Sequence, residues 1–328
     1  MQSYRFENVY IKSVSAVAGP KEKDGPCGKL FDKTYTSLYA EKKTLEEGEK
    51  IMQEDAINIA LIKAGLDIKG SELLISADLN NQLACSSKVA SSYISSFLGI
   101  YSACASSAEG VILASLLLER SNIKNALISS TSSFGTAERQ FRYPLEYGIP
   151  KKQTTTLTVT GSGSMVLGKK TTDLKITEAT LGKVFDPGWK DVNDMGGAMS
   201  FAAYKTLKSH FENLGTKPSD YDLIITGDLS IIGSNILLDL FKEEGIEIKN
   251  HNDAGKIIYQ REKQKAFCGG SGIACLPLVA YTKIYEKLKK KEYRKVLLAA
   301  TGALFDPVYV QQKQSIPAIC HCYTIERG

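Results

Sequence analysis

Apolar residues recur along this chain in two rhythms. Short, almost unbroken apolar runs, "ELLIS" (72–76), "ALISS" (126–130), "DLIIT" (222–226) and "VLLAA" (296–300), have the length of strands. Continuous rather than alternating apolarity predicts a sheet covered on both faces. Between these runs lie stretches with helical spacing. In "EKIMQEDAINIALIKAG" (49–65), Ile51, Ala56, Ile59, Ala60 and Ile62 approach a 3.6-residue period. "AMSFAAYKTLKSHFENLG" (198–215) is read as a second amphipathic helix, with His210 on its exposed side.

The pattern is written twice. "GLDIKGSELLISADL" (65–79) and "GTKPSDYDLIITGDL" (215–229) align at an offset of 150, which superposes Gly65 on Gly215, Asp78 on Asp228 and Leu79 on Leu229. Farther on, "YSACASSAEGVILASLLLER" answers "FCGGSGIACLPLVAYTKIYEKL", each a small-residue turn before a long helix. Repeated βα units occur in any α/β protein, but the matched order favours duplication. The expectation is an α/β protein of two halves, 1–172 and 173–328, stacked in five layers, α-β-α-β-α. In such folds ligands gather at the carboxyl ends of strands. Cys104, Ser132, Asp228, Gly269 to Gly272 and Gly302 all fall there or at helix starts.

Composition narrows the classes of function. The chain has 328 residues and a net charge of +5, too little to argue for nucleic acid, so no nucleic-acid partner is expected. "MQSYRFENVY" lacks the apolar core of a signal peptide. "GVILASLLL" is far short of a bilayer span. A soluble chain is expected, peripheral at most. The seven cysteines are irregularly spaced, which fits reduced thiols better than a disulfide framework. Cys320 and Cys322 flank His321 in a strand, so period-two alternation places the sulfurs on one face and the imidazole on the other, against a metal site. No metal and no cofactor are expected.

The residue with the most chemistry is Cys104. In "YSACASSAEG" (101–110) it stands at a strand-to-helix turn, where free N–H groups and the helix dipole favour a thiolate. This turn, with the glycine-rich "TVTGSGSMVLG" (158–168) and the duplicated layout, resembles the thiolase and ketoacyl-synthase superfamily, whose nucleophilic cysteine opens the buried helix of the first half. The resemblance implies the thiolase-like form of the five-layered fold. It also implies partners that this sequence lacks. Where those enzymes supply a histidine after the strand "DLIIT", Gly227 and Asp228 follow. The turn "FCGGSG" offers neither Asn nor His. The last turn reads "QSIPAIC", and Pro317 has no N–H to donate to an oxyanion. Cys104 is therefore read as a retained pocket residue at a vestigial nucleophile position, with no catalytic residue assigned. An inert buried thiol is the alternative.

Longer stretches narrow the resemblance. "AGPKEKDGPCGKLFDKTY" (18–35), "TAERQFRYPLEYG" (136–148), "YDLIITGDLSIIGS" (221–234), "HNDAG" (251–255) and "QQKQSIPAI" (311–319) are similar to the stage V sporulation protein AD family, over nearly the whole chain. That resemblance implies a non-enzymatic protein binding dipicolinate (pyridine-2,6-dicarboxylate), alone or as its calcium chelate. It implies docking beside other stage V sporulation A-type membrane proteins, peripheral to the spore inner membrane, in sporulation and germination. From the superfamily it implies a homodimer paired through a sheet edge.

Dipicolinate is flat and carries two carboxylates, so its site requires a slot, donors and positive charge. Arg139 and Arg142, spaced i, i+3, suit carboxylates through their planar forks, or else hold their loop through Glu138 and Glu146. Pro144 is expected to end that turn. Gly270 and Ser271, in "CGGSG", offer backbone donors at a helix start or close packing. Ser132 and Ser133 add hydroxyls. His251, in the loop "HND", is a pocket candidate, although a turn cap is the simpler role. Asp228 facing an anion would repel it, so it is read as structural, accepting from backbone N–H groups. The basic "KLKKKEYRK" (287–295) reads as a solvated helix end, or as a lure for anionic lipid. Two rival functions stay open at this point, a Cys104-dependent acyl-transfer or condensing enzyme and a purely structural adaptor.

Overall fold

A computed structural model describes residues 1–69, 71–142 and 151–328, the Arg142 side chain excepted. Among them, the first half contributes strands β1 (Gln2–Arg5), β2 (Tyr10–Ala18), β3 (Lys33–Thr34), β4 (Leu73–Ala77), β5 (Ser96–Gly99), β6 (Asn125–Ser132), β7 (Thr156–Thr158) and β8 (Gly161–Gly168). The second contributes β9 (Leu174–Leu181), β10 (Leu223–Thr226), β11 (His251–Asp253), β12 (Gly269–Ser271), β13 (Lys295–Ala303) and β14 (Ala318–Arg327).

Strand order shows the duplication directly. One block runs β2-β8-β6-β4-β5 and the other β9-β14-β13-β10-β11, with matching parallel and antiparallel pairs. The blocks touch edge to edge at a single register pair, Tyr10 with Lys175. The apolar runs are the inner strands: β4 and β10 are buried at every position. Fully burying a Leu or Ile side chain stabilises by roughly 1.5–3 kcal/mol, and Leu74, Ile75 and Leu127 are among those fully enclosed.

Between the sheets lie the helix Ser106–Arg120, packed on strands of both blocks, and the helical run 275–289, which passes through a π-turn at Ala280–Ile284. The helix Leu45–Lys63 covers β2 and β8 outside, and Met195–Leu214 covers β13 and β14, with Ser230–Glu243 packed beside it. Five layers result, α-β-α-β-α. The outer helices have matching ends. Thr44 and Glu47 form a reciprocal capping box on the first, and Asp194 caps the second. Past their carboxyl ends stand Gly65 and Gly215, at φ +67° and +64°. The left-handed turn that stops each helix favours glycine, which is why this pair recurs in the repeat.

His210 departs from its expected exposed position. Along 195–214 the buried stripe runs through Met199, Ala203, Leu207, His210 and Leu214, so the imidazole belongs to the inner face. Its Nδ1 meets Thr180 Oγ1 at 2.8 Å and its Nε2 meets Tyr221 Oη at 3.1 Å. Burial lowers its pKa to about 4, which keeps the ring neutral. In β14 the two sulfurs of Cys320 and Cys322 join the apolar core of the second half, while His321 Nδ1 accepts from the Gly182 N–H at 3.0 Å.

Candidate functional site

The turn bearing Cys104 is held from three sides. Ala103 adopts φ +50°, a left-handed conformation that costs a non-glycine residue about 1 kcal/mol or more. Bonds around the turn offset that cost: the Ser102 N–H donates to Ser106 Oγ at 2.7 Å, Ser106 Oγ donates to Ala103 O at 2.8 Å, and Ser102 Oγ donates to Glu109 at 2.7 Å. The end of β13 presses on the turn from the other half. A Cβ on Gly302 would stand 2.3 Å from Ser102 O, so only glycine allows this approach. Cys104 is half-buried, just ahead of the helix 106–120.

Beneath the thiol lies Asp228, at the end of β10 and buried. Its Oδ1 accepts from Thr301 Oγ1 at 2.6 Å, and its Oδ2 from Ser271 Oγ at 3.0 Å and the Gly272 N–H at 3.2 Å. The Cys104 thiol stands within reach of it as a further donor. Burial raises the Asp228 pKa above the carboxylate norm, against the opposing effect of these donors, Thr301 first and Cys104 next. Sequence reasoning gave Asp228 only backbone partners. One N–H, two hydroxyls and the thiol hold it, and it joins the two halves at the floor of the site.

Above this floor opens a cleft; the empty space in and before it comes to about 570 Å³, open solvent at the mouth included. Its walls are mostly apolar: Leu79, Tyr101, Phe141, Met195, Met199 and Phe305, with Cys104, Thr158, Ser271 and Gly272 as the polar minority. Phe141 and Phe305 meet edge to face, with centroids 6.3 Å apart. Tyr101, Phe141 and Phe305 also border a wider outer vestibule rimmed by Asn80, Asn81, Gln82 and Gln140. Among the described residues no Lys, Arg or His lines either space.

The expected site residues separate into three groups. Cys104 and Ser271 line the cleft. Ser132 stands behind it, donating to Val159 O at 2.7 Å and accepting from the Ala274 N–H at 3.3 Å. Ser133 is buried and outside the lining, its hydroxyl without a partner among the described residues. The remaining residues lie elsewhere. Gly270, in β12, packs against Ile258, where a Cβ would come within 2.5 Å. Arg139 is exposed and ion-paired with Glu46; its turn presents Ala137 and Phe141, spaced i, i+4, to the cleft and so turns Arg139 away. The Arg142 side chain and residues 143–150, with Pro144 and Glu146, lie outside the described residues.

The stretch at His251 is a strand, not a loop. His251 Nε2 meets Thr226 Oγ1 at 3.0 Å, away from the cleft, and its Nδ1 is buried without a partner among the described residues. Asp253 does the capping: it accepts from the N–H groups of Leu229 and Ser230 at 3.0 and 2.9 Å, at the start of the helix 230–243. Tyr101, Thr158, Phe141, Phe305 and Thr301 went unnoticed in the sequence. Only their places at strand and turn ends pointed to them.

Among the described residues, no group of His, Cys, Asp or Glu is arranged to hold a metal ion, and no helix is long and apolar enough to cross a membrane.

Solved structures share this architecture across 98% of the chain. 3-Oxoacyl-[acyl-carrier-protein] synthase III from Aquifex aeolicus superposes with a TM-score of 0.61 at 13% identity over 100% of its own length. Cerulenin-bound OleA from Xanthomonas campestris gives 0.62 at 17% over 97% of its length. Identities this low establish the thiolase-like fold alone. Stage V sporulation protein AD of Bacillus subtilis is 45% identical over all of this chain and 97% of its own. The model of the stage V sporulation protein AD family matches residues 1–326. Fold, floor and full-length similarity agree: the chain belongs to the stage V sporulation protein AD family.

Proposed function

We propose that this chain is a non-catalytic binder of dipicolinate on a thiolase-like scaffold, and that the cleft above Cys104 takes the ligand as its calcium chelate. Family membership supports the sporulation setting. The carrying observation is the thiol–carboxyl pair. A condensing enzyme requires a group that removes the thiol proton and leaves a reactive thiolate. Here the thiol donates to a buried acid, and an ionised Asp228 would oppose a second negative charge beside it.

The same reasoning favours the chelate. Free dipicolinate is a dianion, whereas its one-to-one calcium complex is neutral. A cleft with no cation in its described lining and a carboxyl beneath suits the neutral form. Apolar walls closed by Phe141 and Phe305 suit the faces of an aromatic ring, and Tyr101 and Thr158 bring hydroxyl-bearing side chains to the lining. Calorimetric titration tests this. Saturable binding with calcium, abolished by Cys104→Trp in a protein of unchanged circular dichroism, is expected. No saturable binding in either calcium condition overturns it.

In this reading the protein serves movement of the metabolite across the spore inner membrane, docked beside membrane partners of the same sporulation group, and works as a homodimer. The dimer rests on β5, a sheet edge exposed at every position and carrying Phe97 and Leu98.

A second reading, acyl transfer through Cys104, has one observation in its favour: the thiol is half-exposed at an apolar cleft ahead of a helix. Stoichiometric acylation of Cys104 by an acyl thioester supports it, and a thiol inert to both thioester and iodoacetamide at neutral pH excludes it.

A further inference from the structure

The strand β7 has a cleft on each side. Thr158 lines the one above Cys104 and also a second, open one, with about 980 Å³ of empty space in and before it, open solvent included. The second has the opposite chemistry. Lys21, Lys151 and Lys265 line it, with the rings of Phe134, Tyr259 and Phe267. The Lys21 ammonium lies 6.0 Å from the Tyr259 ring centroid, and that of Lys151 lies 5.8 Å from the Phe134 centroid. Lys265 and Phe267 continue into a neighbouring depression with Arg261.

Among the described lining residues the one carboxyl is that of Glu22. Glu22 is 1% exposed and lines the cleft. Its Oε1 accepts from the Thr160 N–H at 3.0 Å and from the Tyr259 hydroxyl, while its Oε2 has no partner among the described residues. Burial is the largest influence on Glu22 and raises its pKa, which favours the uncharged acid. Burial likewise lowers the pKa of Lys21, and a desolvated ammonium gains more from an anionic partner than a solvated one. Lys151 is ion-paired with the buried Glu138, which fixes it at the wall.

We propose that this second cleft, bounded by Lys21, Lys151, Lys265, Phe134, Tyr259 and Phe267, binds a small planar organic anion, an aromatic carboxylate. Rings line the walls for a flat apolar body, and Lys21 and Lys265 offer ammonium groups to its carboxylates, while Lys151 is held by Glu138. The site is independent of the reading given above for Cys104 and takes the charged form of ligand that the first cleft disfavours.

Isophthalate is the probe, a flat dicarboxylate without the ring nitrogen that completes a calcium chelate, and isophthalamide is its neutral counterpart. Titration without calcium is expected to show saturable isophthalate binding and at least about tenfold weaker isophthalamide binding. In the double variant Lys21→Gln, Lys265→Gln, isophthalate affinity falls about tenfold or more. Cys104→Trp leaves it unchanged. Isophthalate also protects Lys21 from reductive methylation, read by mass spectrometry. Equal affinity for the diacid and the diamide, or undiminished isophthalate binding in the double variant, overturns the proposal. So does isophthalate binding lost only in Cys104→Trp, which assigns the anion to the first cleft. Loss of calcium dipicolinate binding in Cys104→Trp alone supports the separate reading of that cleft.

Discussion

The two halves end the same strand with the same residue and use it differently. Asp78 closes β4 and Asp228 closes β10. Asp78 turns within its own half: its oxygens accept the N–H groups of Asn80 at 2.8 Å and Ser86 at 2.7 Å, holding the helix Ala84–Ala90. In the second half Asp253 has that helix-holding work, which leaves Asp228 to face Cys104 across the seam. The edges differ as well. β5 is exposed throughout, whereas β11 is partly covered. Duplication fixes where a side chain stands; what arrives from the opposite half fixes its chemistry.

The sharpest way to break this comparison is at the edges. If β5 is the pairing edge, Phe97→Lys with Leu98→Lys weakens self-association at least about a hundredfold, read by sedimentation, because charge on an edge strand opposes pairing. A wild-type monomer at micromolar concentration contradicts the homodimer outright.

The next effect separates the aspartates. Asp78→Ala strands two buried N–H groups and is expected to cost about 3 kcal/mol in denaturant unfolding. Asp228→Asn keeps one acceptor: its oxygen still serves Ser271 and the Gly272 N–H, and its NH2 donates to a Thr301 hydroxyl turned to accept, so its cost stays within about 1 kcal/mol. Equal losses would mean that both residues only hold structure.

Glu49 sharpens the contrast through pH. It accepts from Asn80 at 3.1 Å and Thr136 at 2.7 Å, and burial, with Asp78 nearby, raises its pKa to about 7. A raised acid is protonated in the folded state while the unfolded state has already ionised. Stability is therefore full below pH 4.5 and is lost as pH rises towards 7. Glu49→Gln removes that loss and is expected to stabilise by about 2 kcal/mol at pH 8 and little at pH 4.5. His210, His251 and His321, each lowered by burial to about 4, push total stability the other way, upward from pH 4 to 6.5. Only the difference between variant and wild type isolates Glu49. A gain independent of pH sinks the assignment.

The smallest effect is kinetic. Replacing Asp228 by Asn removes a negative charge beside the thiol, and iodoacetamide is expected to label Cys104 about tenfold faster at pH 7.5. An unchanged rate means that Asp228 does not govern the thiol.

Much of the fold was legible in advance. The unbroken apolar runs became inner strands, and the repeat aligned Gly65 with Gly215, which the structure places at two left-handed helix ends. The site was legible in outline only. Cys104 and Ser271 sit at predictable ends of elements, but the Asp228 contact crosses from one half to the other, and no local spacing encodes it. Arg139 was misplaced because an i, i+3 pair fixes a shared face without saying which face meets the cleft. His210 was misplaced because its polarity outweighed its position on the buried stripe.

Gly302 carries a consequence for anyone cutting the gene. Its bare α-carbon lets the second half's strand rest against the first half's cysteine turn. The thiol, its acid and the walls around them come from both sides of that contact. Neither half expressed alone would own a cleft, and mixing the two fragments would restore one only if the seam closed again.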